Sequence, residues 1–391
     1  MKQYNTLGRL RKSFANKLSQ QSYQTADYVL AGIVIFLTIF GVVMVYNTSV
    51  IIAFETFKDK YWFFKNQAIW ALIGVFFAYL VGNINYKVWK QFGPLLLTIN
   101  LVLLVFVLIP GFSSEVYGAH QRLVIPGIPF LNSITIQPSE LLKLTLTLYL
   151  AGLFSFAKEK RLPFPNWDFF KVLGIGLFLT AIEPDLGNAI LIAGGAFIIY
   201  FTAGANLILT SLIILLGGTA ATIFAFISDY RRERITSFIS SIINNSPTTY
   251  HLTQIFIALG SGGLLGVGLG NSRQKYQYIP EVTTDSIFAV IGEEMGLIGS
   301  LIVILGLFFI IWRGYKIASN CQDTFGRLLV IGLTSNIALQ TIVNLGGMVG
   351  LIPLTGVPLP FISYGGSSLT LLLISIGIII NVSREKHGLL H

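Results

Sequence analysis

A chain of 391 residues that is 54% apolar or aromatic and only 11% charged excludes a soluble globular protein, whose surface at that length needs far more charge. The net charge of +9 does not mark a nucleic-acid binder, because the basic residues are dispersed over short loops rather than gathered in one stripe. A single cysteine, Cys321, rules out an intrachain disulfide, and the four histidines show no ligand spacing for zinc.

Apolar stretches near 20 residues recur along the chain, each long enough to cross ~30 Å of hydrocarbon, which predicts an all-α polytopic membrane protein. In chain order the predicted spans are Tyr28 to Tyr46, Trp62 to Val81, Phe92 to Ile109 and Ser139 to Phe156. Two short spans, Phe169 to Ile182 and Leu186 to Phe201, meet at "EPDLGN"; Leu207 to Ile227, Ser286 to Trp312, Phe325 to Val349 and Ser367 to Asn381 follow. Residues 1–27 form a basic segment ahead of an apolar run too long for a cleavable signal, so the first span is expected to stay in the membrane.

Whether "EPDLGN" separates two helices or interrupts one fixes the parity. With ten spans, most lysines and arginines outside the second long connection fall on one side of the membrane; with nine they spread almost evenly, so the positive-inside rule favours ten. Counting the five basic residues of that connection removes the preference, and they are set aside because a ligand can explain an outward basic loop. The ten-span topology puts residues 1–27 and the tail 383–391 in the cytoplasm, a transmembrane domain over 28–382, and two long connections, about 110–138 and 228–285, outside. Chemistry is expected at that outer end.

Four stretches there carry candidate residues. In "QPSELLKL", Glu140 and Lys143 stand one helical turn apart, where they can pair inside the bundle as a brace or face a substrate. "YRRERI" brings Arg231, Arg232 and Arg234 to an outer membrane edge, either to meet headgroups or to bind a phosphate-bearing ligand. "GSGGLLGVGLGNSRQK" has G-x-G spacings but neither the preceding strand nor the GK[ST] ending of a nucleotide site. Its glycines allow close helix packing or N–H groups turned toward an anion, with Arg273 and Lys275 just downstream. "GVPLPFISYGGSS", Gly356 to Ser368 and with Ser363 inside it, reads as irregular backbone that must line a cavity or be buried in protein.

The stretch "IPEVTTDSIFAVIGEEMG" places Glu281, Asp285, Glu293 and Glu294 around a helix start. Thr284 or Asp285 can cap that helix. Glu293 and Glu294, eight and nine residues on, lie about 12 to 13 Å deeper than Asp285 at 1.5 Å per residue and point in other directions, so the three cannot serve one atom. Asp285, at the water boundary, is the candidate general base; the deeper pair either binds buried partners or sits protonated.

"GVGLGNSRQKYQYIPEVTTDSIFAVIGEEMG" and "GLIPLTGVPLPFISYGGSSL" resemble the SEDS family of shape, elongation, division and sporulation proteins, which includes FtsW and RodA. "QPSELLK", "PDLGN", "YRRERI" and "ALGSGG" come in the family's order, and the likeness runs from the first span to the last. It implies a ten-helix SEDS-type bundle and a peptidoglycan glycosyltransferase that polymerises lipid II at the outer face of a bacterial cytoplasmic membrane. It also implies a class B penicillin-binding protein as partner, with other divisome membrane proteins. In that family the aspartate of the Thr-Asp string, here Asp285, is regarded as catalytic, and the matching Glu140, Lys143, Arg232 and Arg234 belong to the substrate site. Arg273, Lys275, Glu293 and Ser363 complete the expected substrate-binding set, with a divalent cation such as Mg2+ or Mn2+ as an optional aid to diphosphate charge. "GNSRQK" is more like the FtsW branch, and a septal role follows from it. A lipid II flippase or a RodA-type elongation polymerase are the alternatives. Two departures stand out: "GAHQRLV" lacks the family's usual Trp, and Ser286 stands where an aromatic residue usually follows the aspartate.

Overall fold

The computed structural model describes residues 26–109, 113–116, 119–123, 136–183, 185–206, 249–276 and 278–384, together with scattered positions between 208 and 240. The basic segment 1–25, the tail beyond 384, Arg231, Arg234 and most of the predicted seventh span lie outside the described residues.

Ten helices are described, and seven are long and apolar enough to cross a membrane. In order they are α1 (Tyr28–Phe57), α2 (Trp62–Asn83), α3 (Lys87–Val107), α4 (Pro138–Glu159), the shorter α5 (Asn166–Ile182) and α6 (Leu186–Thr202), then α7 (Tyr250–Ser261), α8 (Ile287–Asn320), α9 (Thr324–Met348) and α10 (Gly366–Ser383). Large apolar side chains such as Leu72, Phe178, Leu305 and Phe308 face outward, as lipid contact requires, while α4 and α9 are mostly enclosed. The protein is an all-α multi-pass membrane protein. A small hairpin, β1 (Ser113–Val116) with β2 (Ala119–Leu123), adds strand structure that the sequence did not lead us to expect in the first long connection.

At "EPDLGN" the choice lies between two helices and one interrupted helix. Tyr200, near the end of α6, donates its hydroxyl proton to Asn166 Oδ1 at the start of α5, 2.6 Å away. Only an antiparallel pair brings those ends together, so two helices meet at the motif. At that same end of the bundle Asp27 caps α1 through the Leu30 N–H, takes Arg313 of α8 as its ion-pair partner, and donates its own N–H to Ser383 at the end of α10. Lys90 of α3 pairs with Glu159 of α4 at 2.7 Å. The opposite end holds the long connections.

Two features there depart from the expected spans. The second long connection contains α7, a 12-residue helix capped by Thr249, which buries Leu252, Ile255 and Ala258 on one face and packs beside α8. The predicted Ser286 to Trp312 span is broken at Gly296, whose φ of 65° and ψ of −162° lie outside any helix. Beside the break runs the glycine-rich stretch. Val267 and Gly268 donate their N–H groups to the Glu293 and Glu294 carbonyls at 3.0 Å, and Leu297 and Ile298 donate theirs to the Gly263 and Leu264 carbonyls at 2.9 and 3.2 Å. A Cβ on Gly266 would collide with the Glu294 carbonyl oxygen, and one on Gly296 with the Gly266 nitrogen. These glycines therefore serve backbone-to-backbone packing, which satisfies peptide groups freed by the break. The N–H groups of Val267 and Gly268 are committed there rather than turned toward an anion.

Candidate active site

Asp285 closes the turn before α8 and is 6% exposed. Its segment is fixed from two sides: Asn344 of α9 donates to the Asp285 carbonyl at 2.8 Å, and Tyr364 donates its N–H to the Thr283 carbonyl at 2.9 Å. Ser286 N–H and Thr284 N–H both close onto the Glu281 carbonyl, a tight turn in which Glu281 takes a φ of 51°. Thr284 and Ser286 hydroxyls lie 3.4 and 3.5 Å from Asp285 Oδ1. The carboxylate is thus buried on a backbone fixed from two sides.

Glu140 and Lys143 form a buried ion pair at 2.8 Å in the first turns of α4. The pair is tied to the Asp285 segment by a polar ladder on α9. Asn336, Gln340 and Asn344, spaced i, i+4 and i+8, fall on one helical face. Asn336 donates to the Lys143 carbonyl, Gln340 accepts from the Lys143 ammonium at 3.4 Å and donates to the Pro358 carbonyl at 2.9 Å, and Asn344 reaches Asp285 and Val357. Every rung is buried. The ladder was missed from sequence, although three amides at four-residue intervals in an apolar span are a readable signal.

The "GVPLPFISYGGSS" loop closes another side. Ser363 accepts the Leu359 N–H on its hydroxyl at 2.8 Å, and its carbonyl accepts from Gln67 of α2 at 3.1 Å. Its hydroxyl therefore holds the loop's own turn, in which Phe361 has a φ of 64°. Burial pushes the Tyr364 hydroxyl above its ordinary range, partly offset by the Arg122 charge and a hydrogen bond from Asn66. Arg122, on β2, is thereby brought over this loop.

At "EPDLGN" the Asp185 carboxylate caps α6 through the Asn188 N–H and accepts from Gln137, Ser139 and the Asn188 amide at 3.1, 3.1 and 2.8 Å. Neighbouring Glu183 is 1% exposed, and among the described residues neither of its carboxyl oxygens has a hydrogen-bonding partner. Burial first, and the Asp185 charge second, push its carboxyl up to about 8, so it is a neutral acid at pH 7. Neither residue belonged to the expected set.

The remaining expected residues are placed differently. Glu293 accepts the N–H groups of Arg273 and Gln274 at 2.9 and 3.3 Å and the Ser272 hydroxyl. Lys275 is buried with its ammonium on Glu294 at 3.1 Å, Asn47 at 2.9 Å and the Gly270 carbonyl at 2.7 Å. Both acids thus bind buried partners, one of the two roles open to them, and both sit on the helical stretch of α8 just before the Gly296 break. Arg273 differs from Lys275: it is exposed, and its guanidinium has no partner among the described residues. Arg232 is exposed on a helical turn, and Arg234 lies outside the described residues. Among the described residues no group of three His, Cys, Asp or Glu side chains is placed to hold a metal ion.

Residues 28–388 match the FtsW/RodA/SpoVE family, described as cell cycle proteins. The chain is 37% identical over 361 residues to stage V sporulation protein E of Bacillus subtilis, covering 92% of this chain and 97% of that one. It is 39% identical over 378 residues to the probable peptidoglycan glycosyltransferase FtsW of Trichlorobacter lovleyi, covering 94% and 96%. Among solved structures it resembles the rod shape determining protein RodA of Thermus thermophilus, with a TM-score of 0.67, 25% identity and coverage of 92% and 97%. It also resembles a chain in a structure of a peptidoglycan synthase complex that coordinates polymerization and crosslinking, with a TM-score of 0.72, 24% identity and coverage of 93% and 98%. The chain belongs to the FtsW/RodA/SpoVE family of cell cycle proteins.

Proposed function

We propose that the protein is a peptidoglycan glycosyltransferase that polymerises lipid II at the outer face of the bacterial cytoplasmic membrane, with Asp285 as its general base. The observation that carries this reading is one buried carboxylate, its backbone fixed from two sides, where the turn before α8 meets α7, α9 and the Tyr364 loop. Relatives named as probable peptidoglycan glycosyltransferases, 35–39% identical over most of the chain, support the activity.

In the reaction, a sugar hydroxyl of one lipid-linked disaccharide attacks the anomeric carbon of another, the new glycosidic bond forms with inversion, and the bond to undecaprenyl diphosphate breaks. The attacking hydroxyl must lose its proton, and a carboxylate within ~3 Å accepts it. Diphosphate leaves as an anion, so no protein acid need protonate it, unlike the two-carboxylate arrangement of glycosidases. Its charge falls to the exposed Arg273 and Arg232, and to Arg234. Lys275 and Glu293, occupied with Glu294 and the turn at 272–275, hold the loop that presents Arg273. Glu140 and Lys143 support the pocket through the α9 ladder, and Ser363 shapes its wall. A class B penicillin-binding protein is the natural partner, given the synthase complex among the fold's neighbours, and the FtsW names among the relatives favour septal synthesis beside other divisome proteins. Both termini lie in the cytoplasm on this reading.

Purified protein supplied with lipid II, alone and with a cognate class B transpeptidase, is expected to yield glycan polymer resolved on a gel. Lipid II that stays monomeric in both samples, yet crosses vesicle membranes when the protein is present, would reject the polymerase in favour of a flippase.

A further inference from the structure

Two polar residues beside Asp285 have no part in this mechanism. His251, in the first turn of α7, is half-buried, and its Nε2 lies 2.8 Å from Ser286 Oγ. Ser286 is fully buried, and its hydroxyl lies 3.5 Å from Asp285 Oδ1. Carboxylate, hydroxyl and imidazole therefore form a line from the reacting group toward the edge of α7. We propose that His251 accepts, through the Ser286 hydroxyl, the proton that Asp285 takes from the attacking sugar. The proposal rests on Asp285 being the base.

The proton balance is complete. After attack Asp285 is a neutral acid. It donates to Ser286 Oγ as the Ser286 proton passes to His251 Nε2, which regenerates the carboxylate and leaves an imidazolium that loses its proton to water. An imidazole suits this task because it ordinarily titrates near neutral pH. The 3.5 Å contact is long for a hydrogen bond, and catalytic contacts of this kind shorten once substrate closes the site. Other titratable groups on the packed elements are committed or remote, and the Tyr364 phenol on the neighbouring loop, raised above its ordinary range by burial, stays neutral. Glu281 is held by the Thr284 hydroxyl at 2.8 Å, Glu293 and Glu294 by residues 272–275, and α9 carries only Arg327, near its far end. Arg313, Tyr315 and Lys316 lie toward the far end of α8, and Tyr250 is exposed on α7 itself.

The test is the pH profile of lipid II polymerisation by the full chain with its partner, for the wild type, His251→Gln, Ser286→Ala and Ser286→Thr. Glutamine can keep a hydrogen bond to Ser286 but cannot carry the proton. We expect His251→Gln and Ser286→Ala each to lower kcat on the order of tenfold, less than the ~10²–10⁴ expected of the base itself. KM stays unchanged, the acidic limb that the imidazole contributes disappears, and the double variant is no slower than either single one. Ser286→Thr, which keeps the hydroxyl, retains the wild-type profile. His251→Gln with the wild-type rate and acidic limb would overturn the relay and reduce the contact to packing. Loss of the base assignment reads out separately, as an active Asp285→Asn.

Discussion

Asp285→Asn is expected to leave a folded protein that binds lipid II with unchanged affinity and makes no measurable polymer, a loss of at least ~10² in kcat. Asparagine keeps the size of the side chain, and the contacts that fix this segment run through the backbone carbonyls of Thr283 and Asp285, which the substitution does not touch. The substitution removes the capacity to take a proton and leaves those backbone contacts in place. Gel-resolved polymer and a thermal melt on the same preparation separate this outcome from unfolding. Polymer near the wild-type amount would remove Asp285 from the reaction.

The second large effect belongs to Glu140 and Lys143. Removing one member strands a buried charge, which destabilises by about 3–5 kcal/mol, so Glu140→Gln and Lys143→Met should each melt well below the wild type. Replacing both at once removes the stranded charge, and the double variant should recover most of that loss. Activity then decides between the two roles the sequence left open. A stable double variant that still polymerises lipid II assigns the pair to bracing α4 against the α9 ladder; a stable but inactive one assigns it to the substrate.

What could be read from sequence follows from how local each contact is. Glu140 and Lys143 are three residues apart on one helix, so their pairing was visible in the spacing, and "VTTD" before an apolar run marked the position of Asp285. Lys275 and Glu294 are separated by 19 positions, and nothing local shows that they meet. Reading Lys275 as a ligand for diphosphate assumed an available ammonium, and the fold encloses it. The break at Gly296 was hidden because hydropathy averages over it: the segment stays apolar while a φ of 65° ends one helix and begins another. Glu293 and Glu294 lie on the helical stretch before that break. The glycines before it had two open readings, and close packing against α8 is the one their contacts support. The α9 amides were legible by their four-residue interval, whereas His251 and Ser286 meet only because α7 folds back onto the start of α8.

The most direct measurement is the side of the membrane from which the Asp285 pocket is reached. In a chain whose one cysteine, Cys321, is replaced by alanine, Tyr278→Cys puts a thiol at a 51% exposed position just before the "VTTD" turn. A membrane-impermeant maleimide added to intact protoplasts is expected to label it. Labelling found only in inverted vesicles, with protoplasts unlabelled, would contradict an outward-facing site for a diphosphate-linked lipid.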